Sequence, residues 1–464
     1  MTRLHEARRI GVLLLPILIL FSLPRLSPAP PEENPGLSFV LENGLRVFLY
    51  EKHGLPLVNI AVAVNAGSKD ETAETNGFVH LLEHCLLFRG TARRSAAEIS
   101  RDIRGHGAYY NANTGQDLAV FEISLPAEHA DFALRNQKEI LFDFGLSQAG
   151  LDQEKPVVLE EMNQMEDDPQ RHGTDLVMQR LFEGHPYGRP VPGRPDVVRA
   201  ARVEEIEAFH GKYFIPNNCA LAVVGDFRIP EMEGKIREIF GSLKRSDFAP
   251  PTIPKAGLLA KSVLFQEEKD VQEAYLFIGC VGPDYNHPDQ FAMDVLTETL
   301  GRGVNPLLNL ALRSRRDLVQ NLNMTYVPGR FGGAVVVSLR LDPKNVPAAA
   351  RETVNYLRRC RGENFSRDDI VGDEKYDTFD FLGSAKNQIR FSAEEAEESG
   401  LALASSLARF MLENERENPG RFLDHIANTT SGDLRKAAAA YLSRGEYVTV
   451  AIVPKKTDKP AKED

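Results

Sequence analysis

Two histidines and a glutamate stand at His80, Glu83 and His84 in the run HLLEH, and a second acidic stretch, EKPVVLEE, occupies Glu154–Glu161. Imidazole and carboxylate are common zinc ligands, and a catalytic zinc site takes three protein ligands and keeps one position open. Such an ion lowers the pKa of bound water from about 16 toward 7, which makes hydroxide available at neutral pH. A free carboxylate must then hold or take the proton. Two histidines, one distant acid and one unliganded acid are therefore the minimum set for metal-assisted hydrolysis.

The elements that must position these groups read as helices. Thr75–Phe88 is TNGFVHLLEHCLLF, apolar and free of Gly or Pro after Gly77, which predicts a buried helix. Residues four apart share a helix face, so His80 and His84 can address one ion. Glu83 borders that face, within reach of water on the ion. The order H-x-x-E-H is that of the inverted zincins. A five-residue match can arise by chance, but so apolar a helix has little reason to bury these groups uncompensated. In the second stretch Glu154 and Glu161 are seven apart, close to two helical turns, so both can face one way. Val157, Val158 and Leu159 are expected to pack inward. Glu160 adjoins Glu161, and composition alone does not choose the ligand. Solvated acids on an amphipathic helix are the ordinary alternative.

HLLEH followed at this distance by E-x6-E resembles the pitrilysin/insulinase zinc peptidases, which include the mitochondrial processing peptidases. GAYYNANTGQD (Gly107–Asp117), HPYGRPVPG (His185–Gly193) and YFIPNNCALAVVGD (Tyr213–Asp226) are similar to further family segments, in the expected order over roughly residues 36–230. The resemblance implies one zinc ion per chain on His80, His84 and Glu161, with Glu83 as general base on the zinc-bound water. It implies Glu161 rather than Glu160 because the family spacing ends there, and it gives Glu154 the task of orienting a ligand histidine. It also implies that Asn111 and Ala112 lie on an edge strand that holds substrate backbone. Arg313, in LRSRRDLVQ (Leu312–Gln320), matches a family arginine that helps bind substrate. The family tyrosine seven residues later is Gln320 here, and Tyr326 cannot be assumed to replace it.

The chain has 464 residues, 42% of them apolar, which suggests two or more domains. A net charge of −11 argues against a nucleic-acid binder. Arg3, Arg8 and Arg9 precede an apolar run, Ile10–Leu23, that contains Pro16 and is short for a membrane span. Residues 1–29 read as a signal peptide, or as an uncleaved anchor that is the chain's sole membrane contact. The expected location is periplasmic or otherwise secreted. Cys85, Cys219, Cys280 and Cys360 are widely spaced, which suggests core residues rather than a disulfide framework or zinc ribbon.

SDFAPPTIPKAG at Ser246–Gly257 is Pro-rich and opens a linker taken as 246–263. It divides a zinc-binding domain, 36–245, from a metal-free domain, 264–454, with a charged tail at 455–464 expected to be disordered. The halves look alike. VNIAVAVNAGS at Val58–Ser68 precedes the HLLEH helix, as QEAYLFIGCVG at Gln272–Gly282 precedes DQFAMDVLTETLG at Asp289–Gly301. IEAFHGKYFIPNNCALAVVGD likewise parallels LRKAAAAYLSRGEYVTVAIVP. Aligned on Phe78 and Phe291, Met293, Leu296 and Thr297 stand opposite His80, Glu83 and His84, so the second half lacks the metal set.

The expected fold class is α+β: two homologous domains, each an antiparallel-rich sheet covered by helices on one face, together forming half of a clam-like chamber. Segment 381–417 is expected to be continuously helical. The expected function is a zinc endopeptidase acting on short or unfolded peptides bound as an added strand. Family members of this length commonly work as dimers, and Gln320 favours an unlike, metal-free partner subunit. The alternatives are a non-catalytic assembly or chaperone-like subunit, which the intact metal set disfavours, and a dedicated leader-peptide processing peptidase.

Overall fold

The structure, a computed structural model, describes residues 36–303, 306–361, 380–413 and 421–455. The expected signal or anchor at 1–29, the tail beyond Lys455 and the end of the helix drawn to 417 lie outside the described residues. No helix among the described residues is long and apolar enough to cross a membrane.

Strands β1 (Leu37–Val40), β2 (Arg46–Glu51), β3 (Leu57–Val64), β4 (Tyr109–Thr114), β5 (Ala119–Pro126) and β6 (Cys219–Gly225) form one sheet in the order β1-β2-β6-β3-β5-β4. Strands β7 (Val263–Lys269), β8 (Ala274–Gly282), β9 (Asn321–Val327), β10 (Gly333–Leu341) and β11 (Val448–Pro454) form the other, β7-β11-β8-β10-β9. Setting β1 aside, the orders correspond strand for strand, including the single parallel pair near one edge, β2–β6 in one sheet and β7–β11 in the other. β3 and β8 are the strands that the internal repeat matches, as are β6 and β11.

Five helices matter for the site: α1 (Phe78–Phe88), α2 (Ala96–Gly105), α3 (Ala130–Phe142), α4 (Gln148–Asp167) and α5 (Pro169–Leu181). Leu81 and Leu82 of α1 and Leu134 of α3 bury themselves with Ile60, Val62 and Phe121 on one face of the first sheet. In the second half, Met293, Leu296 and Thr297 sit buried in the helix Gln290–Thr297. The Thr297 hydroxyl donates to the Met293 carbonyl at 3.0 Å. That helix is core where its counterpart carries metal-ligand types.

Helices on one face alone is an incomplete expectation, because each sheet also has its other face covered by a helix from the opposite half. Helix Gly400–Glu413 brings Leu403, Ala404, Leu407, Ala408 and Leu412 onto Ala61, Ala63, Ala220 and Ala222 of the first sheet. In return α5 lays Val177 and Leu181 on Phe277, Val336 and Val450 of the second. A strand covered on both faces needs a continuous apolar run, not an alternating one, and β6 has one, as does β3 from Ile60 on. The exchange also corrects the single helix drawn over 381–417. The chain turns at Ser399, between helices Phe381–Glu398 and Gly400–Glu413, so that the second can cross to the other sheet.

Leu407 is fully buried in this contact. Leu407→Ala is expected to cost about 2–5 kcal/mol, the usual range for a buried Leu truncated to Ala, read as a lower urea unfolding midpoint. A change under about 0.5 kcal/mol, typical of an exposed site, would mean that this helix does not pack there.

Candidate active site

Helix α1 begins where the backbone allows it. Gly77 adopts φ +108° in the turn that leads into the helix, a region open to glycine without a Cβ penalty. It also touches Gly193: a Cβ on Gly193 would stand 2.2 Å from the Gly77 Cα. The crossing therefore accounts for the glycine that ends HPYGRPVPG. Glu71 caps the start from within the core. Its carboxyl group accepts from Asn76 Nδ2 (2.7 Å), from the Gly77 N–H (2.9 Å) and from the Val79 N–H (2.8 Å), the last two being backbone donors that the first turn leaves without an intrahelical partner. Burial raises Glu71 to about 8 despite these bonds.

Helix α4 packs along α1 and carries both expected acids toward it. His84 Nε2 lies 3.2 Å from Glu161 Oε2, and His80 Nε2 lies 3.7 Å from the same atom. The three ligand atoms fall within 4.8 Å of one another. Bonds of about 2.0–2.1 Å at tetrahedral angles put ligand atoms about 3.3–3.4 Å apart, so this donor set fits a zinc ion. Glu160 is exposed on the neighbouring face, and of the two acids it is Glu161 that the fold brings beside both histidines. Val157 is also 49% exposed, which corrects its inward placement. Val158 and Leu159 do face the core.

Burial around these groups is compensated. The Glu154 carboxylate accepts from His84 Nδ1 at 3.0 Å and from the Arg89 guanidinium on its other oxygen. A proton held on Nδ1 leaves Nε2 free to act as a ligand. Burial, with the charge of His84, pulls His80 down to about 4 and keeps it neutral. Its buried Nδ1 makes no hydrogen bond among the described residues. Burial also lowers His84, but its bonds to Glu154 and Glu161 and the nearby Glu83 charge win and raise it to about 9. Glu161 is lowered, chiefly by its bond to His84.

Glu83 stays out of the three-atom cluster. It is buried, and it accepts a hydrogen bond from the Thr114 hydroxyl at the end of β4. Burial raises it to about 7, and the Thr114 bond opposes that rise. Its neighbour Tyr110 keeps a buried hydroxyl with no hydrogen-bond partner among the described residues, and burial with the Glu83 charge raises that phenol as well. Cys85, beside His84, is pushed up to about 12 by burial and by Glu154, which disfavours its thiolate.

Asn111 and Ala112 lie on β4, the last strand of its sheet. Asn111 is exposed and the Ala112 side chain is in the core, so a peptide laid there would meet backbone. Arg313 and Gln320 are exposed in the second half, and among the described residues no hydrogen bond or ion pair joins either to the His80–Glu161 cluster. The Tyr326 hydroxyl is engaged by the Pro283 carbonyl at 2.8 Å. Thr114, Arg89 and Glu71 escaped the sequence reading. Thr114 had a signal in NANT, but its partner lies 31 residues away, and nothing local marks Glu71 or Arg89 as partners of the site.

Residues 46–194 match a family model described as insulinase (peptidase family M16), and residues 200–371 match one described as the M16 peptidase inactive domain. An uncharacterized zinc protease of Mycobacterium leprae is 28% identical over 284 residues, 61% of this chain and 64% of its own length. An uncharacterized zinc protease of Streptomyces coelicolor is 28% identical over 418 residues, 88% of each chain. The crystal structure of a protease from Helicobacter pylori aligns with a TM-score of 0.81 and 22% identity, over 91% of this chain and all of that one. At that identity the likeness speaks for the fold. Whatever the site does, the Glu154 contact is testable: Glu154→Gln is expected to weaken zinc affinity by about 10–100-fold, measured by competition with a chromogenic chelator.

Proposed function

Because the chain belongs to the insulinase (M16) family of peptidases, we propose that it is a zinc-dependent endopeptidase acting on short or unfolded peptides. The observation that carries this reading is the meeting of His80, His84 and Glu161 at one point, beside an acid, Glu83, that is not among them. The relatives described as zinc proteases support it. The second half, matched as an inactive domain and filled with core residues where the first has ligand types, fits the non-catalytic alternative, so the catalytic reading rests on the first half alone.

A zinc ion held there supplies Lewis-acid polarisation of the scissile carbonyl and makes water acidic enough to attack it near neutral pH. The protein's own groups do the rest. Glu83 takes the proton of the attacking water and returns it to the departing amine. Thr114 holds the Glu83 carboxylate in place. Glu154, anchored by Arg89, fixes the His84 ring and its tautomer. β4 offers an unpaired edge to which an extended peptide can add as a strand, with main-chain bonds that demand little of the substrate's sequence.

The reading includes a dimer, with an unlike metal-free subunit supplying what Gln320 does not, and a periplasmic or secreted location for which the apolar run Ile10–Leu23 is the support. A non-catalytic assembly role leaves the complete ligand set without a purpose, and dedicated leader-peptide processing stands behind general peptide degradation.

Glu83→Gln is expected to keep about one zinc per chain and to lose about 10²–10⁴-fold in hydrolysis of a quenched peptide. Zinc loading and wild-type turnover together would remove Glu83 from the mechanism. The base must be ionised to act, so the wild-type rate should fall as pH drops through the Glu83 value. That limb is expected at or below about 7, because a cation beside the carboxylate favours its charged form. A rate that rises on acidification would contradict the assignment.

A further inference from the structure

The three ligands are not held alike. His80 and His84 sit on a helix sealed in the first-half core, with side chains 10% and 12% exposed, whereas Glu161 is 30% exposed. Glu161 lies near the end of α4, and that end is gripped from the half of the chain that has no ligands. Lys269 of β7 donates to the Glu166 carbonyl at 2.6 Å, in the last turn of α4. Asp168 then closes α4 and opens α5, its carboxylate accepting from the N–H groups of Gln170 (2.8 Å) and Arg171 (3.3 Å). One turn on, His172 Nε2 meets Glu267 Oε2, also of β7, at 2.9 Å. Gly173 follows, pressed against a ring of the second sheet: a Cβ there would stand 2.0 Å from Phe277.

We propose that the metal-free half positions Glu161, through Lys269, the His172–Glu267 pair and the Gly173–Phe277 contact on either side of the α4–α5 turn. These are positioning residues that touch neither metal nor substrate. The mechanical reason is short. Five residues of helix separate Glu161 from Glu166, about 7.5 Å along the axis. Over that length a tilt of about 5° moves a ligand by about 0.7 Å, several times the roughly 0.2 Å that metal–ligand distances tolerate. A grip on the helix end thus sets the third ligand, whereas the bonds from Glu154 to His84 and Arg89 fix α4 only two turns earlier.

The inference rests on the zinc reading above, and the experiment separates the two. Zinc affinity of the metal-stripped full-length chain is measured by chelator competition, beside the thermal midpoint, for wild type, Glu161→Gln, Lys269→Met and Gly173→Ala. Lys269→Met is expected to weaken zinc about tenfold, the low end of what supporting residues cost. Removing a cation would by simple electrostatics tighten binding of another cation, so a weakening reports position and not charge. Gly173→Ala, which must push α5 off Phe277, is expected to weaken it as well, and adding Phe277→Leu to vacate the space is expected to restore part of the loss. If Gly173→Ala does not fold, Lys269→Met on the exposed edge strand still decides. Folded Lys269→Met that binds zinc as wild type does, with Glu161→Gln weakened, overturns the positioning role alone. A wild-type chain that binds no zinc, or Glu161→Gln that binds it undiminished, overturns the site reading and this inference with it.

Discussion

The packing of α1 along α4 is the contact on which the rest depends. It places ionisable groups where an apolar core would otherwise exclude them, and each must be compensated there, because an unpaired buried charge costs several kcal/mol. Glu154 is held by Arg89 and His84, Glu83 by Thr114, and Glu71 by the first turn of α1. What remains is a set of three atoms with one acidic oxygen facing two imidazole nitrogens. The bonds to Glu154 and Glu161 and the nearby Glu83 charge favour a proton on His84, and a cation held at the three atoms would compete with it.

The duplicated sheets divide the work unequally. Both halves share a strand order and a helix at the equivalent place, yet the second fills that helix with Met293, Leu296 and Thr297. At the three positions equivalent to His80, Glu83 and His84 the second half has packing residues and no ligand types, and it is free to serve as support. Its hairpin turn between β9 and β10 reaches back to the first half. The Arg330 N–H donates to Asp117 at 3.1 Å and the Phe331 N–H to the Tyr187 hydroxyl at 3.1 Å, and Asp117 stands just beyond Thr114 and the end of β4.

Much of the site was legible because its logic is local or periodic. HLLEH gives the i, i+4 pair directly, and the two-turn spacing of Glu154 and Glu161 gives the second face. The two-sheet α+β plan followed from the repeat. What escaped depends on pairing across the fold. Thr114 meets Glu83 only because β4 ends beside α1, Arg89 meets Glu154 only because α1 and α4 are packed, and Val157 turns outward because that contact uses the other side of α4. The break at Ser399 was missed for a related reason. Helix propensity over 381–417 is high throughout, and nothing local says that the chain must cross to the opposite sheet there.

That crossing bears on why a metal-free half should accompany the site at all. The outer face of the first sheet is Ala61, Ala63, Val120, Ala220, Ala222 and Val224, and its cover comes from Leu403, Ala404, Leu407, Ala408 and Leu412, far later in the chain. The outer face of the second sheet takes its cover from α5, directly after the helix that bears Glu161. Stripped of the other, each half would expose a contiguous apolar face of the kind that soluble proteins rarely leave open. The small residues under the crossing helix let it approach closely, which makes the contact tight and intolerant of displacement. A helix shared in this way is a strut: α5 cannot shift on the second sheet without moving the end of α4, and the ligand geometry of the first half is therefore a property of the whole chain.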